Sequence, residues 1–359
     1  MARWLEPMRR VVSLGWLLAF VLTQGGCVDE GPLDSDKSDL SSAPPASEDP
    51  RPPIAVATPD PLEPVLRQAL SWAVGLRVTP RRIRDELGMK GVKHFVEYLN
   101  LLYHIHRHAP DAPLAVEARA RAHEALGAVG QADYHQLATV DERRFRQDSM
   151  SYLRACRLAE VFGWDTERYR REIAGVLPRI VAHLPSRGVD QRMGFALLFE
   201  QLGLPVVEPL AAIYPGSLIA RRVPLEYYWV SADRPYDITH EVFAMTKRGT
   251  RAFPFSDAAD GNYARQTVRA LLEESLRRGQ IDIAAELLTN LAYLGETSTP
   301  LARVVRDRIL RTQNPDGSFG QYDEAAARRL KGNPLYDVRI GGNLHTTMVV
   351  VWALVECAR

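Results

Sequence analysis

The sequence predicts an all-α fold built from about six helical hairpins. Three observations predict it. First, helical periodicity runs from Leu62 to Arg359 almost without a break. Apolar residues recur three and four apart in SYLRACRLAEVFG (Ser151 to Gly163), REIAGVLPRIVAHL (Arg171 to Leu184) and VRALLEESLRRG (Val268 to Gly279). Second, helix-ending glycines recur at Gly127, Gly163, Gly203, Gly249 and Gly295, at spacings of 36, 40, 46 and 46 residues. Each interval holds two helices and two turns. Third, Asp148, Asp190, Asp237, Asp282 and Asn343 stand where the second helix of each unit is expected to start, and Asp and Asn are favoured N-caps. Such hairpins can stack as an open solenoid or close into a ring.

Taken from the N-terminus, residues 1–27 read as an address rather than as fold. Arg3, Arg9 and Arg10 precede the uncharged run VVSLGWLLAFVL (Val11 to Leu22). As helix that run rises about 18 Å, too short for a ~30 Å bilayer core. It ends in Thr23-Gln24-Gly25-Gly26-Cys27, which resembles the lipobox of bacterial lipoproteins. The resemblance implies lipidation at Cys27, with Gln24 departing from the usual aliphatic residue. An ordinary secretory signal is the alternative. Residues 28–61 carry eight acids against Lys37 and Arg51, with frequent proline and no aromatic residue. That composition cannot bury enough apolar surface to offset chain entropy and predicts a disordered stalk. Residues 62–359 form the helical domain.

Composition bounds the function. The 45 Lys+Arg against 44 Asp+Glu exclude a dedicated polyanion binder, so nucleic acid is not an expected partner. Mean hydropathy of −0.20 excludes a polytopic membrane protein. Three cysteines in 359 residues exclude a disulfide scaffold and a four-cysteine zinc module. Cys156 and Cys357 are expected as free thiols. The expected partners are the membrane, through the N-terminal lipid, and a ligand or protein of unassigned identity. The expected location is the outer membrane or the cell surface.

Two C-terminal motifs favour the ring. Gln313-Asn314-Pro315-Asp316-Gly317-Ser318-Phe319-Gly320 resembles the Gln-and-aromatic motif of terpenoid cyclases. Gly341-Gly342-Asn343-Leu344-His345-Thr346-Thr347-Met348 resembles the final inner helix of that superfamily, protein prenyltransferases included. The resemblance implies an α/α toroid, six outer helices around six inner ones. It covers about 45 residues closely and roughly 250 through the hairpin repeat. The octapeptide itself reads as a structural turn, with Phe319 packing between helices.

In a toroid the inner helices run parallel and their N-termini meet at one mouth. His240, Glu241, Glu286 and His345 would then face one cavity. His240 and Glu286 each lie nine residues before a capping glycine. Two imidazoles and an acid (His240, Glu286, His345) can hold zinc or another divalent ion, and the same set can act as general acid and base. Their plainer role is to satisfy helix-start N–H groups. Tyr227, Tyr228 and Trp229 lie in the longest irregular insertion, about Pro205 to Tyr236, and could cover the mouth or pack the insertion down, with Phe253 and Phe255 in the same rim. His104, His106 and His108 precede Pro110 and read as solvated residues at a helix end.

The chemistries that the superfamily resemblance brings with it are not matched. No Asp-Asp-x-x-Asp is present, since Asp257 to Asp260 reads DAAD, and neither the Asp-x-Cys nor the Cys-His-Gly zinc signature occurs. Two functions compete. One is a membrane-tethered toroid lipoprotein that binds a ligand or partner at the inner-helix mouth. The other is an exported hydrolase or lyase acting on cell-envelope or extracellular glycans. The first is preferred because no complete catalytic constellation is visible.

Overall fold

The structure is a computed structural model; it describes residues 60–76, 91–130, 134–252, 257–322 and 334–359. The expected lipidation site Cys27, almost all of the expected stalk, Phe253 and Phe255 lie outside the described residues. Residues from Thr58 onward make one compact unit, and it is all-α, with no strand among the described residues.

Six helices form an inner set: α2 (Gly91–His108), α4 (Glu142–Val161), α6 (Val189–Gln201), α9 (Arg234–Met245), α11 (Ile281–Tyr293) and α13 (Pro334–Cys357). Each packs on the next, and α13 packs back on α2. The series therefore closes into a ring rather than continuing as a solenoid. Around it lie α1 (Glu63–Gly75), α3 (Pro113–Gly130), α5 (Glu167–His183), α10 (Ala258–Arg277) and α12 (Pro300–Leu310). The place of an outer helix between α6 and α9 is taken by short pieces: α7 (Leu210–Ile213), α8 (Leu218–Arg221) and 3-10 turns at Tyr214–Gly216 and Leu225–Trp229.

Burial separates the layers. Outer helices bury one stripe, as in α5 with Tyr169, Ile173, Val176 and Ile180, or α12 with Ala302, Val305 and Ile309. Inner helices are buried nearly all round: Ile283 to Leu291 of α11 are buried without interruption. An inner helix has an outer helix behind it, a neighbour on each side and the ring interior in front. Its buried polar residues, Glu286, Thr289 and Asn290 among them, are the ones sequence periodicity leaves unexplained.

The glycine repeat caps helices at three of its five positions; at the end of α9 Lys247 takes the left-handed place and Gly249 follows two residues later. Gly163, Gly203, Gly249 and Gly295 have φ of +73, +65, +78 and +80° just past α4, α6, α9 and α11. A six-residue closing bond accompanies Gly163, Gly203 and Gly295, such as Trp164 N to Ala159 O at 2.9 Å and Glu296 N to Leu291 O at 2.9 Å; at α9 the bond runs from Arg248 N to Phe243 O around Lys247. Gly127 is different. It lies inside α3, where a Cβ would meet the Trp164 ring at 3.4 Å.

The N-cap expectation is corrected. Asp141, not Asp148, caps α4 by accepting from Arg144 N at 2.8 Å. Asp148 lies buried one and a half turns into the helix, where it accepts from Arg144 Nε at 3.2 Å. Asp190, Asp237 and Asp282 fall within the first turn rather than at the cap, and Asn343 is internal to α13. A polar residue at a helix start is equally a residue at the ring's mouth, and the sequence alone does not separate the two.

The C-terminal octapeptide is structural. Asp316 Oδ1 accepts from Ser318 N at 3.0 Å, Gly317 has φ +92° against the Gln68 carbonyl, and Gln313 Nε2 donates to Val65 O at 3.0 Å. Phe319 is wholly buried, and its N–H donates to Thr347 Oγ1 of α13 at 2.8 Å. The turn thereby ties α1 to the last inner helix.

Candidate functional site

Inner helices α2, α11 and α13 run parallel, and side-chain pairs at two levels show it. Near the helix starts, His345 Nδ1 of α13 lies 3.0 Å from Glu97 Oε1 of α2, and its Nε2 lies 3.8 Å from Glu286 Oε1 of α11. Seven residues later on each of the three helices stand His104, Tyr293 and Trp352. His104 stacks on Trp352 with ring centroids 5.1 Å apart, and Trp352 Nε1 donates to Tyr293 Oη at 2.9 Å. Seven residues of helix rise about 10.5 Å, so these are two tiers of one ring interior.

The upper tier is a hydrogen-bonded charge cluster. Glu97 is buried and takes three cationic or imidazole partners: His345, His94 Nδ1 at 3.0 Å and Lys93 Nζ at 3.4 Å. Burial alone would raise its carboxyl, but the bonds to His345 and His94 and the Lys93 charge reverse that and hold it far below the usual carboxylate range. His345 responds in the opposite sense. Burial would lower the imidazole, yet the Glu97 bond and the Glu97 and Glu286 charges raise it above the ordinary histidine value. His345 is thus an imidazole of raised proton affinity held between two acidic side chains. Glu286 is further fixed by Thr239 Oγ1 of α9, which donates to its Oε2 at 2.6 Å.

The other expected mouth residues divide. His240 is at the same end of the ring but faces α6: its Nδ1 lies 3.5 Å from Asp190 Oδ2, and the side chain is 43% exposed. Burial would raise Asp190, but the bond and charge of His240 bring it below its ordinary value. Tyr236 Oη donates to Asp282, and Tyr227 Oη donates to Asp237 Oδ2 at 3.1 Å and accepts from Arg234. Tyr227 is thus on the rim, as expected.

Two expectations are corrected, for Glu241 and for the metal set, and the role left open for Tyr228 and Trp229 is decided as packing. Glu241 does not face the cavity. One residue on from His240 is 100° round the helix, which turns it outward, where its oxygens accept from Leu218 N at 2.8 Å and Ile219 N at 3.2 Å at the start of α8. Tyr228 is wholly buried against α10, its hydroxyl 3.0 Å from that of Tyr263, and Trp229 lies under the Arg278 guanidinium at 5.4 Å. Both pack the insertion down. The metal set is also revised. His240, Glu286 and His345 are not brought together, and no group of three or more His, Cys, Asp or Glu side chains among the described residues could hold a metal ion. His240 is drawn to Asp190, and Glu286 to Thr239 and His345.

The histidines of α2 are likewise revised. His104 is not solvated at a helix end but buried in the lower tier; His106 Nδ1 lies 3.1 Å from Ala115 O and His108 Nε2 2.5 Å from Asp60. Cys156 and Cys357 are free, with Cys156 buried.

Sequence reasoning missed Glu97, Asp190, Trp352 and two arginines, Arg154 and Arg248. One signal was available. Glu97, Glu286 and His345 each precede by seven residues a ring-bearing residue, His104, Tyr293 and Trp352 respectively.

No curated protein and no solved structure matches the chain. A family model described as a domain of unknown function (DUF6895) matches residues 66–355, from within α1 to the last turn of α13, so that all six inner helices fall inside the match. With most of its length covered, the chain belongs to the DUF6895 family.

Proposed function

We propose that this protein is a lipid-anchored component of the cell envelope whose helical ring holds a ligand at the inner-helix mouth. The observation that carries the binding site is His345, set between Glu97 and Glu286 on three different helices. Preorganised charge in a partly enclosed concave space is what ligand sites use for orientation and specificity. The anchor rests on the Arg-bearing N-terminus, the twelve-residue apolar run and Cys27.

Two experiments test the two halves. Cys27→Ser should release the chain from the membrane fraction or leave it unprocessed; a variant still cleaved and membrane-bound contradicts the anchor. For the site, envelope glycan fragments, small acids and small amines are titrated against the purified chain while the His345 imidazole is followed by NMR. A compound that shifts His345 and loses affinity in a folded His345→Ala variant supports the site. Unchanged affinity in that variant contradicts it.

A second reading uses the same residues for catalysis. A histidine whose proton is held more tightly by two neighbouring acids can act as a general acid, suited to cleaving glycosidic links in envelope glycans. Its activity would fall as pH rises through the His345 titration and would survive chelation. A chelator-sensitive rate, or one unaltered in His345→Ala, contradicts it.

A further inference from the structure

In and around the lower tier stand three donor-bearing side chains with no hydrogen-bond acceptor among the described residues. Arg154 of α4 has an enclosed Nε with no hydrogen-bond partner, and its guanidinium forms no ion pair among the described residues. Arg248, just past α9, lies over the Trp352 ring at 5.3 Å and likewise has no carboxylate partner among the described residues. His104, stacked on the same Trp352, has neither ring nitrogen hydrogen-bonded although the residue is only 2% exposed. Arginines elsewhere behave differently: Arg269 of α10 makes a two-pronged bond to Glu296 at 2.7 Å for each prong, and Arg192 of α6 likewise grips Glu208.

The backbone that delivers Arg248 is itself unusual. Lys247 and Arg248 have φ of +48 and +55°, left-handed values that non-glycine residues seldom adopt; Lys247 closes α9 where α4, α6 and α11 use glycine. The Arg248 N–H bonds to Phe243 O at 2.8 Å and so fixes the strained turn that presents the guanidinium to the interior.

We propose that the lower part of the ring is an anion site, in which Arg154 and Arg248 grip a carboxylate or phosphate group of the ligand and His104 donates a further hydrogen bond. This deepens the mouth-binding reading and rests on it. Guanidinium forks match the geometry of both oxyanions, and a buried donor left without an acceptor calls for one from outside the chain. The electrostatics agree. Burial and the neighbouring Arg248 charge pull Arg154 down to about 9 against the opposing pull of Glu286, Glu97 and Asp190, and burial also lowers Arg248 against that of Tyr293 and Glu286. Burial and the Arg107 and Arg248 charges keep His104 neutral, so that one of its nitrogens is a donor. A bound anion relieves all three. The acids above do not bar its entry, because Glu97 and Glu286 share His345 and Asp190 is paired with His240.

The test is calorimetric titration of the purified full chain with inorganic phosphate and, separately, with succinate, which distinguishes the two oxyanion sources; glycerol is the neutral control. Phosphate or succinate should bind and glycerol should not. Arg154→Gln and Arg248→Gln should each weaken binding at least tenfold and leave the anion-free melting temperature equal or higher, since each removes a desolvated cation that forms no ion pair among the described residues. Arg171→Gln, on the exposed face of α5, should bind as wild type does. If Arg248→Gln does not fold, Arg154→Gln and the wild-type titrations decide the matter. Lower melting temperatures with unchanged binding would assign the arginines to structure and overturn the proposal, as would wild-type protein that binds neither anion. If neither anion binds but another compound still shifts His345, the anion site fails while the mouth reading survives. If anions bind through Arg154 and no compound reaches His345, the reverse holds.

Discussion

Glu241→Gln is a perturbation whose consequence follows from the geometry with a definite sign. The Glu241 carboxyl is 1% exposed and accepts from two backbone N–H groups at the start of α8. Burial raises it to about 7 from an ordinary 4.5, more than the Leu218 and Ile219 bonds lower it. A carboxyl raised on folding binds its proton more tightly in the native state. Its favourable contribution is therefore full below about pH 4.5 and is lost as pH rises through about 7. The shift of about 2.5 units, at about 1.4 kcal/mol per unit, is on the order of 3 kcal/mol of stability lost between pH 4.5 and 8. Glutamine cannot ionise and removes that dependence. Its amide retains the Leu218 bond but sets an N–H against that of Ile219, at a pH-independent cost of about 1–3 kcal/mol. Urea unfolding from pH 4.5 to 8.5 should show the variant clearly weaker than wild type at the acid end and close to it at the alkaline end. Parallel pH profiles for the two proteins would refute the reasoning.

Other expectations concern the fold. Gly249→Ala should destabilise by about 2–4 kcal/mol, because the left-handed backbone and a clash with the Tyr293 ring both act, whereas Gly203→Ala, with open space around it, should lose only about 1–2 kcal/mol; comparing their urea midpoints checks the difference. Phe319→Ala should cost about 3–5 kcal/mol, read as a lower unfolding midpoint, since a wholly buried ring at the junction of α1, α12 and α13 is removed. Burial pushes the Cys156 thiol up to about 12, so alkylation of the native chain should spare it until the protein unfolds; labelling at the same rate as in denaturant would contradict its placement.

The helices and the hairpin order were legible because both have short-range signatures: apolar residues at three and four, and a glycine wherever the chain turns left-handed after Phe162, Leu202 and Leu294. Gly127 shows where such reasoning stops. A glycine that makes room for Trp164 and one that ends a helix look alike until packing is known. His345 and Glu286 were found as a pair because both lie near the starts of inner helices. Their third partner, Glu97, was not, since in VKHFVEYLN it reads as an ordinary polar position on an amphipathic helix. Glu241 failed for the opposite reason: adjacent to His240 in sequence, it points to another layer. Arg154 and Arg248 could not be read at all. What marks them is the lack of a partner, which only three-dimensional neighbours reveal.

Closure of the ring brings together two residues 248 apart in sequence, Glu97 and His345, and the candidate site depends on it. The most direct measurement is the NMR titration of the His345 imidazole in wild type and in Glu97→Gln. Loss of a charge-assisted bond worth about 1.5–3 kcal/mol corresponds to a fall of about one to two pH units in the His345 midpoint. Wild-type His345 should titrate above the ordinary histidine range, and the variant should titrate lower by that amount. Midpoints that coincide in the two proteins would show that α13 does not meet α2 at this level, and the site built on their meeting would fall with it.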